Sequence, residues 1–478
     1  SPDLTAHPEG TQGISGEPIT RDITGEEIYS TIYAIEESRL EKGVIWVGTN
    51  DGLVQVTRDG GKTWTNVTPK GMPPMGRVQS IDDSPHRKGS ALVSYYRTLL
   101  GEFKPYIYKT DDYGATWTLL TDGKNGIPGD YPTRVAREDP GREGLIYAGT
   151  EFGMFVSFNS GKTWQSFQLN LPVTPVTDLK VYRGDLTVST MGRSMWILDN
   201  VAALHQLAKV DGSAAAALLA PPTAYRLRYD VMNGPADPQF IEPGAIVDYA
   251  LKADATESLR LEVMDSTGAV IRTFESGPPQ SAETTQGMRA PETRFPGPTR
   301  LSGKAGAHRF IWDLRHNGVP GMRGMQGPIV APGDYKLRLS LGAFSEERPL
   351  KVVSDPRLAK DGVTDAMIAE QTKLLLDIRQ RVTEARSVLQ KLNEARVKAQ
   401  ADSSAAGAAR VKAIDAIIAK IQTAGGAYPQ PMLIDQYANV SRMLGQADQK
   451  PGRDAYERFN DLVKELEAVK AEASKATM

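Results

Sequence analysis

Three acidic residues sit in short turn-forming segments beside cations and aromatic rings. Asp51 lies in Asn50-Asp51-Gly52, Glu102 in the stretch from Arg97 to Pro105, and Glu151 in Glu151-Phe152-Gly153. Arg97, Lys104 and Arg193 supply positive charge nearby, and Tyr95 and Tyr96 supply aromatic faces. Two carboxyl groups held about 5–10 Å apart across a bound sugar can cleave a glycosidic bond, one as acid and the other as base or nucleophile. Without such a pair, the same turns make a binding surface of guanidinium groups and rings. Histidine offers little: His308 and His316 are eight apart, no His-x-x-x-His helix exists, and cysteine is absent, so no zinc site is expected. Asp111-Asp112 lacks the ligand spacing of a calcium loop. Neither a phosphate-cradling glycine loop nor a Gly-x-Ser-x-Gly elbow occurs. No metal or cofactor is expected.

What brings these turns onto one face is a repeat. Thr57-Arg58-Asp59-Gly60-Gly61-Lys62-Thr63-Trp64 recurs as Thr110-Asp111-Asp112-Tyr113-Gly114-Ala115-Thr116-Trp117 and as Ser157-Phe158-Asn159-Ser160-Gly161-Lys162-Thr163-Trp164. All three fit Ser/Thr-x-Asp-x-Gly-x-Thr-Trp, with Asn159 standing for the Asp of the other copies. The tryptophans are 53 and 47 residues apart, close to the roughly 40–50 residues of a four-stranded propeller blade. Each copy reads as a β-hairpin turn. The Asp or Asn accepts backbone N–H groups across it, the glycine (Gly61, Gly114, Gly161) takes a positive φ, and the Trp fills the wedge between blades.

This motif resembles the Asp-box, or bacterial neuraminidase repeat. The chain is similar to the C-terminal portion of sortilin-like, Asp-box propeller proteins of bacteria that are often labelled glycosyl hydrolases. The resemblance implies that Asp59, Gly61, Trp64, Asp112, Gly114, Trp117, Asn159, Gly161 and Trp164 are structural, on the side of the blade away from the ligand. The sialidase form of the repeat needs an arginine cluster and a Tyr/Glu nucleophile pair, which do not map onto this sequence. The xyloglucanase-type enzymes use aspartates in a cleft between two propellers, so that activity would need a part absent here.

Taken in order, residues 1–26 read as an extended lead-in. Blades follow over Glu27–Thr68, Arg77–Leu120 and Arg134–Gln168, and a fourth without the box runs from Val176 to Leu198. Each is a set of β-rich runs bounded by Gly, Pro or Asp. The loops between second and third strands, with the blade-to-blade links, then form the top face and carry the candidate residues. Four blades is the lower limit for a propeller, so an upstream segment or a second polypeptide is expected to complete the ring. Residues 201–230, with an Ala run and Ala220-Pro221-Pro222, read as a linker. Short alternating strands from near Gln239 to Val353 predict an immunoglobulin-like β-sandwich over 231–355. Within it, Gly277–Arg300 reads as an exposed excursion, and Gly318, Gly321, Gly324 and Gly327 as a structured loop, four triplets being too few for collagen. Thr364 caps the first of several amphipathic helices, predicting a bundle over 356–478. The fold class is mainly β with an α tail, the blades occupying 1–200.

Across 478 residues, 40% apolar and 24% charged side chains describe an ordinary globular chain, and the net charge of −2 gives nucleic acid no purchase. No apolar run approaches the ~20 residues of a membrane span. The absence of cysteine leaves the redox compartment open, although a cysteine-free chain is comfortable in a periplasm; a periplasmic or extracellular location is expected, with no signal peptide visible. The reading favours an exported, non-catalytic recognition or scaffold protein binding a protein or glycan on the propeller top. The alternatives are a glycoside hydrolase working in a propeller cleft and a structural subunit of a cell-surface assembly docking through its helical tail.

Overall fold

The computed structural model describes residues 2–7, 29–210, 213–228, 242–277, 300–322, 325–426 and 428–477, which divide into two units, Ser1–Lys209 and Val210–Met478. Most of the expected lead-in, the strand start near Gln239, nearly all of the 277–300 excursion and Gly324 lie outside the described residues.

The first unit is a series of antiparallel meanders. β1 (Ile32–Glu37), β2 (Ile45–Thr49), β3 (Val54–Thr57) and β4 (Thr65–Asn66) form the first sheet. β5 (Arg77–Asp83), β6 (Ala91–Tyr96), β7 (Tyr106–Thr110) and β8 (Thr118–Leu119) form the second. β9 (Thr133–Glu138), β10 (Ile146–Thr150), β11 (Gly153–Ser157) and β12 (Gln165–Ser166) form the third. The fourth has three strands, β13 (Val176–Tyr182), β14 (Asp185–Thr190) and β15 (Met195–Leu198). The first strand of each sheet packs on the first strand of the next, β1 on β5, β5 on β9 and β9 on β13, which is how propeller blades stack about an axis. Sheets covered on both faces explain why Ala91–Tyr96 and Ile146–Thr150 are buried along their whole length and read as apolar runs rather than alternating ones.

The Thr-x-Asp turns do the local work expected of them. Asp59 Oδ1 accepts the N–H groups of Lys62 and Thr63 at 2.9 Å each, and Asp112 Oδ1 accepts Thr116 N–H at 2.8 Å. Asn159 accepts Thr163 N–H at 2.9 Å and donates from its amide to the Thr163 hydroxyl, which is why Asn replaces Asp without loss of the turn. The glycines at φ +88°, +84° and +82° hold the left-handed conformation. In each of the three blades that carry it, the turn then docks on that blade's own first hairpin loop. Gly60 N–H donates to Gly43 O, Tyr113 N–H to Gly89 O and Ser160 N–H to Gly144 O at 2.8–3.0 Å. The tryptophans differ: Trp117 Nε1 donates to Val67 O (2.7 Å) and Trp164 Nε1 to Leu120 O (3.1 Å), both in the preceding blade. Trp64 folds back instead on Gly61 O in its own turn.

The linker expected at 201–230 is not one. Its first part is α1 (Ala202–Leu207), whose Leu204 is buried in the core of blades three and four, with His205 Nε2 2.9 Å from Asp139 Oδ1. Further on, the Ala run is β16 (Ala216–Leu218), and β17 (Ala224–Arg226) follows. Both pair into the second unit, because Ala216, Leu218 and Ala224 fill its apolar core.

That core lies between two sheets. β18 (Ala245–Leu251) stands between β16 and β21 (Gly306–Trp312). The facing sheet has the order β17-β23-β22-β19-β20, formed with β19 (Arg260–Met264), β20 (Val270–Glu275), β22 (Gly333–Leu341) and β23 (Phe344–Ser354). This is an immunoglobulin-like sandwich. The helical tail comprises α2 (Asp365–Gln400), α3 (Ala405–Ile421), α4 (Leu433–Leu444) and α5 (Arg453–Thr477) around one apolar core. Thr364 caps α2 by accepting Met367 N–H at 3.3 Å. The Gly-rich loop is tied into this core by Val319 and Met325. Carbonyls of His316, Asn317, Gly321, Gly327 and Val330 each accept an arginine N–H, from Arg272, Arg379, Arg386, Arg315 and Arg226 respectively. Arg226, fully buried, also ion-pairs with Asp448 in the loop between α4 and α5, joining sandwich to bundle.

Candidate functional site

Meander topology puts the turns between second and third strands and the blade-to-blade links at one end of the first unit. Asp51, Glu102, Glu151 and Arg193 are in those turns, and each carboxylate is engaged by its own chain. Asp51 Oδ2 accepts Ala6 N–H (2.8 Å) and His7 N–H (3.3 Å), so the lead-in closes over it, and Thr49 donates to its other oxygen. Leu4 is buried beside it, its carbonyl taking Gln55 Nε2 at 3.2 Å. Glu102 is held by Arg97 through one oxygen and by the Tyr106 hydroxyl through the other. Glu151 Oε1 accepts both the Tyr96 hydroxyl and Arg134 Nε at 2.6 Å.

The structure therefore joins Tyr96, Glu151 and Arg134, from blades two and three, into one cluster. The Arg134 guanidinium also lies 4.9 Å from the centre of the Tyr96 ring. Burial and the neighbouring Glu151 carboxylate push the Tyr96 phenol above its ordinary pKa, so it stays a proton donor. Arg97, Glu102 and Tyr106 form a second cluster within blade two. Tyr95 belongs to neither. It is fully buried, its hydroxyl donating to Pro73 O (2.5 Å) and accepting Gly76 N–H (2.6 Å), and offers no face for stacking on a ligand. Arg193 is exposed on the β14–β15 turn, without an ion pair among the described residues.

Arg134 and Tyr106 escaped the sequence reading because strand positions carry no turn signal. A second feature was also missed. Leu99, Phe103, Phe152, Leu169, Val173 and Met191 are exposed, all in the turns or links at this same end. Phe152 stands with its ring centre 4.7 Å from that of Tyr131. Apolar residues lodged inside Gly/Pro-bounded loops were the available clue. Among the described residues no cluster of His, Asp and Glu is placed to hold a metal, and no helix is long and apolar enough to cross a membrane.

No protein-family model matches the chain. An oligoxyloglucan-reducing end-specific xyloglucanase of Emericella nidulans is 30% identical over 111 residues, which is 23% of this chain and 13% of that enzyme. Among solved structures, YCF48 bound to D1 peptide is 20% identical with a TM-score of 0.28, over 35% of this chain and 51% of that one. The GH74 xyloglucanase from Xanthomonas campestris is 10% identical with a TM-score of 0.29, over 68% and 48%. The chain thus spans about half of each of these structures and a small part of the curated relative, and the fold assignment rests on its own sheet order.

Proposed function

We propose that the chain is an exported, non-catalytic recognition protein whose propeller top binds an apolar segment of a protein partner. The observation that carries this is the six exposed apolar residues gathered in the top turns and links, Leu99, Phe103, Phe152, Leu169, Val173 and Met191. Exposed apolar side chains concentrated at one end of a fold mark an interaction site more readily than ones scattered singly. Leu, Val and Met have no planar face for a sugar ring, and they bury well against peptide side chains. All three carboxylates being engaged by their own chain supports the same reading, since a glycosidase needs one acid and one base free to act on substrate. The resemblance to Asp-box, sortilin-like propellers agrees with a binding role for this end.

The 111-residue likeness to a xyloglucanase favours a second reading, glycoside hydrolysis in a cleft completed by further blades. One experiment separates the two. The chain is applied to a peptide library and to a glycan array, alongside Phe103→Glu, Phe152→Glu and Glu151→Gln. Apolar peptide hits lost with either phenylalanine are expected. Polysaccharide turnover that disappears in Glu151→Gln would overturn the binding reading.

A further inference from the structure

Each junction between blades has two halves, a branched side chain on one blade and a small residue on the blade before it. In every first strand the pairing slips once, and the residue before the slip is Ile32, Val78, Thr133 or Val176. Opposite the residue after the slip stands a small one, Gly48, Ser94, Gly149 or Ser189. Val78 enters the notch at Gly48 so closely that an added Cβ there would lie 2.2 Å from it, and Val176 enters the notch at Gly149, where the distance would be 2.6 Å. Thr133 is likewise buried against blade two, its hydroxyl bonded to the Tyr106 carbonyl.

One knob and one notch are left over. Ile32 is 48% exposed, whereas Val78, Thr133 and Val176 are wholly buried. Ser189, on the last blade, is partly exposed. Trp64 and Gly61 say the same of the first blade. Gly114 and Gly161 pack on Val67 and Leu120 of the blade before, but Gly61 meets only its own tryptophan. Around them lie the exposed Ile35 on β1, and Tyr182, Met195 and Ile197 on the fourth blade.

Charge names the occupant. Two places beyond each slip lie Glu36, Asp82, Arg137 and Lys180, one per blade. Arg39 bridges the two acids, 3.5 Å from Glu36 and 3.2 Å from Asp82. Asp82 and Arg137 pair directly at 3.2 Å, and Arg137 reaches Asp178 on blade four at 2.9 Å. Lys180 is exposed and pairs with no carboxylate among the described residues. A blade following the fourth must present a knob to Ser189 and an acid to Lys180. The first blade of this same chain presents both, as Ile32 and Glu36.

We infer that two copies of this chain join head to tail, Ile32 and Glu36 of each seated on Ser189 and Lys180 of the other. A twofold axis relates the two joints, so the ring closes. It then holds eight blades, twice the four sheets of one chain, within the known range of four to eight. The joint repeats the Asp82–Arg137 junction with the signs exchanged, and it covers the apolar residues that the open edges expose.

Sedimentation equilibrium of the whole chain tests this, with Glu36→Lys and Lys180→Glu, two surface changes that leave the blade cores intact. The wild type is expected to sediment at twice the chain mass. Each variant alone brings like charges together at both joints and should dimerise about tenfold more weakly or worse. Mixing the two variants restores opposite charges at both joints, so the equimolar mixture is expected to regain the dimer. A wild type that stays monomeric throughout its soluble range overturns the proposal, and shows that blades of a different polypeptide segment must fill the joint. Undiminished dimers in both variants, or no recovery on mixing, overturn it equally.

Discussion

The Tyr96 hydroxyl donates to Glu151 at 2.6 Å, on the carboxylate oxygen that also accepts Arg134, so one oxygen ties blade two to blade three. Both residues are largely shielded from solvent, and a hydrogen bond to a charged group there contributes about 1.5–3 kcal/mol. Tyr96→Phe and Glu151→Gln should each lower the stability of the first unit by about that amount. Because the bond is shared, the double variant should lose little more than either single one. Urea unfolding followed by tryptophan fluorescence reads all three, and fully additive losses would show that the two side chains act separately.

Trp164 and Trp64 occupy the same place in two turns but not the same surroundings. Trp164 is buried and bonded to Leu120 of the preceding blade, and Trp64 is half-buried over its own turn. Trp164→Ala should therefore cost about 3–5 kcal/mol, as large aromatic truncations in cores do. Trp64→Ala should cost less than half as much in the isolated chain. Equal losses in denaturant titrations would mean that the wedge does not depend on a preceding blade.

How much of this was legible follows from how far apart the partners are. The Thr-x-Asp turns close within five residues, so their hydrogen bonds could be read from the motif, as could the Thr364 cap on α2. The Tyr96–Glu151 contact spans 55 residues and depends on how two blades stack, which no local pattern encodes. Asp51 looked free because the backbone amides that saturate it come from Ala6 and His7 in the lead-in, 45 and 44 residues away. Tyr95 and Tyr96 are adjacent, and strand alternation alone sends one ring inward and the other to the junction. The Ala run at 214–217 reads as linker by composition, yet β16 pairs it with β18, tertiary packing overriding propensity.

The two units should respond oppositely to pH. Burial raises Asp82 to about 6, against the pull of Arg137 and Arg39, so folding favours its protonated form. That contribution stabilises the first unit at low pH and is lost as pH rises from about 4 to about 6. In the second unit, burial and then Arg379 depress His316 to about 4. Its folded form is neutral, so stability is present above the ordinary histidine range and is lost as pH falls from about 6.5 toward 4. Between pH 7 and pH 5, calorimetry should show the second unit weakening and the first strengthening. Asp82→Asn should flatten the first trend and His316→Phe the second, each leaving the other unchanged.

Gly48 tests the blade junction without altering a charge. Its φ is not positive, so an alanine there meets no backbone strain, and the cost comes from a Cβ that would lie 2.2 Å from Val78 Cγ1, 2.7 Å from Val78 Cβ and 3.3 Å from Ile81 Cδ1. Overpacking of that kind costs about 1–3 kcal/mol. Val78→Ala removes the nearest methyl group, but its own Cβ would still lie 2.7 Å from the new one, and it opens a cavity, destabilising on its own account. In the combined variant the new methyl fills part of that cavity. Gly48→Ala should thus destabilise the wild type clearly and the Val78→Ala background less, the remaining Cβ contact keeping part of the cost. Chemical denaturation of the four proteins gives the coupling directly. A coupling near zero would mean that the two residues do not share the notch, and the equivalence drawn between Gly48, Gly149 and Ser189 would lose its basis.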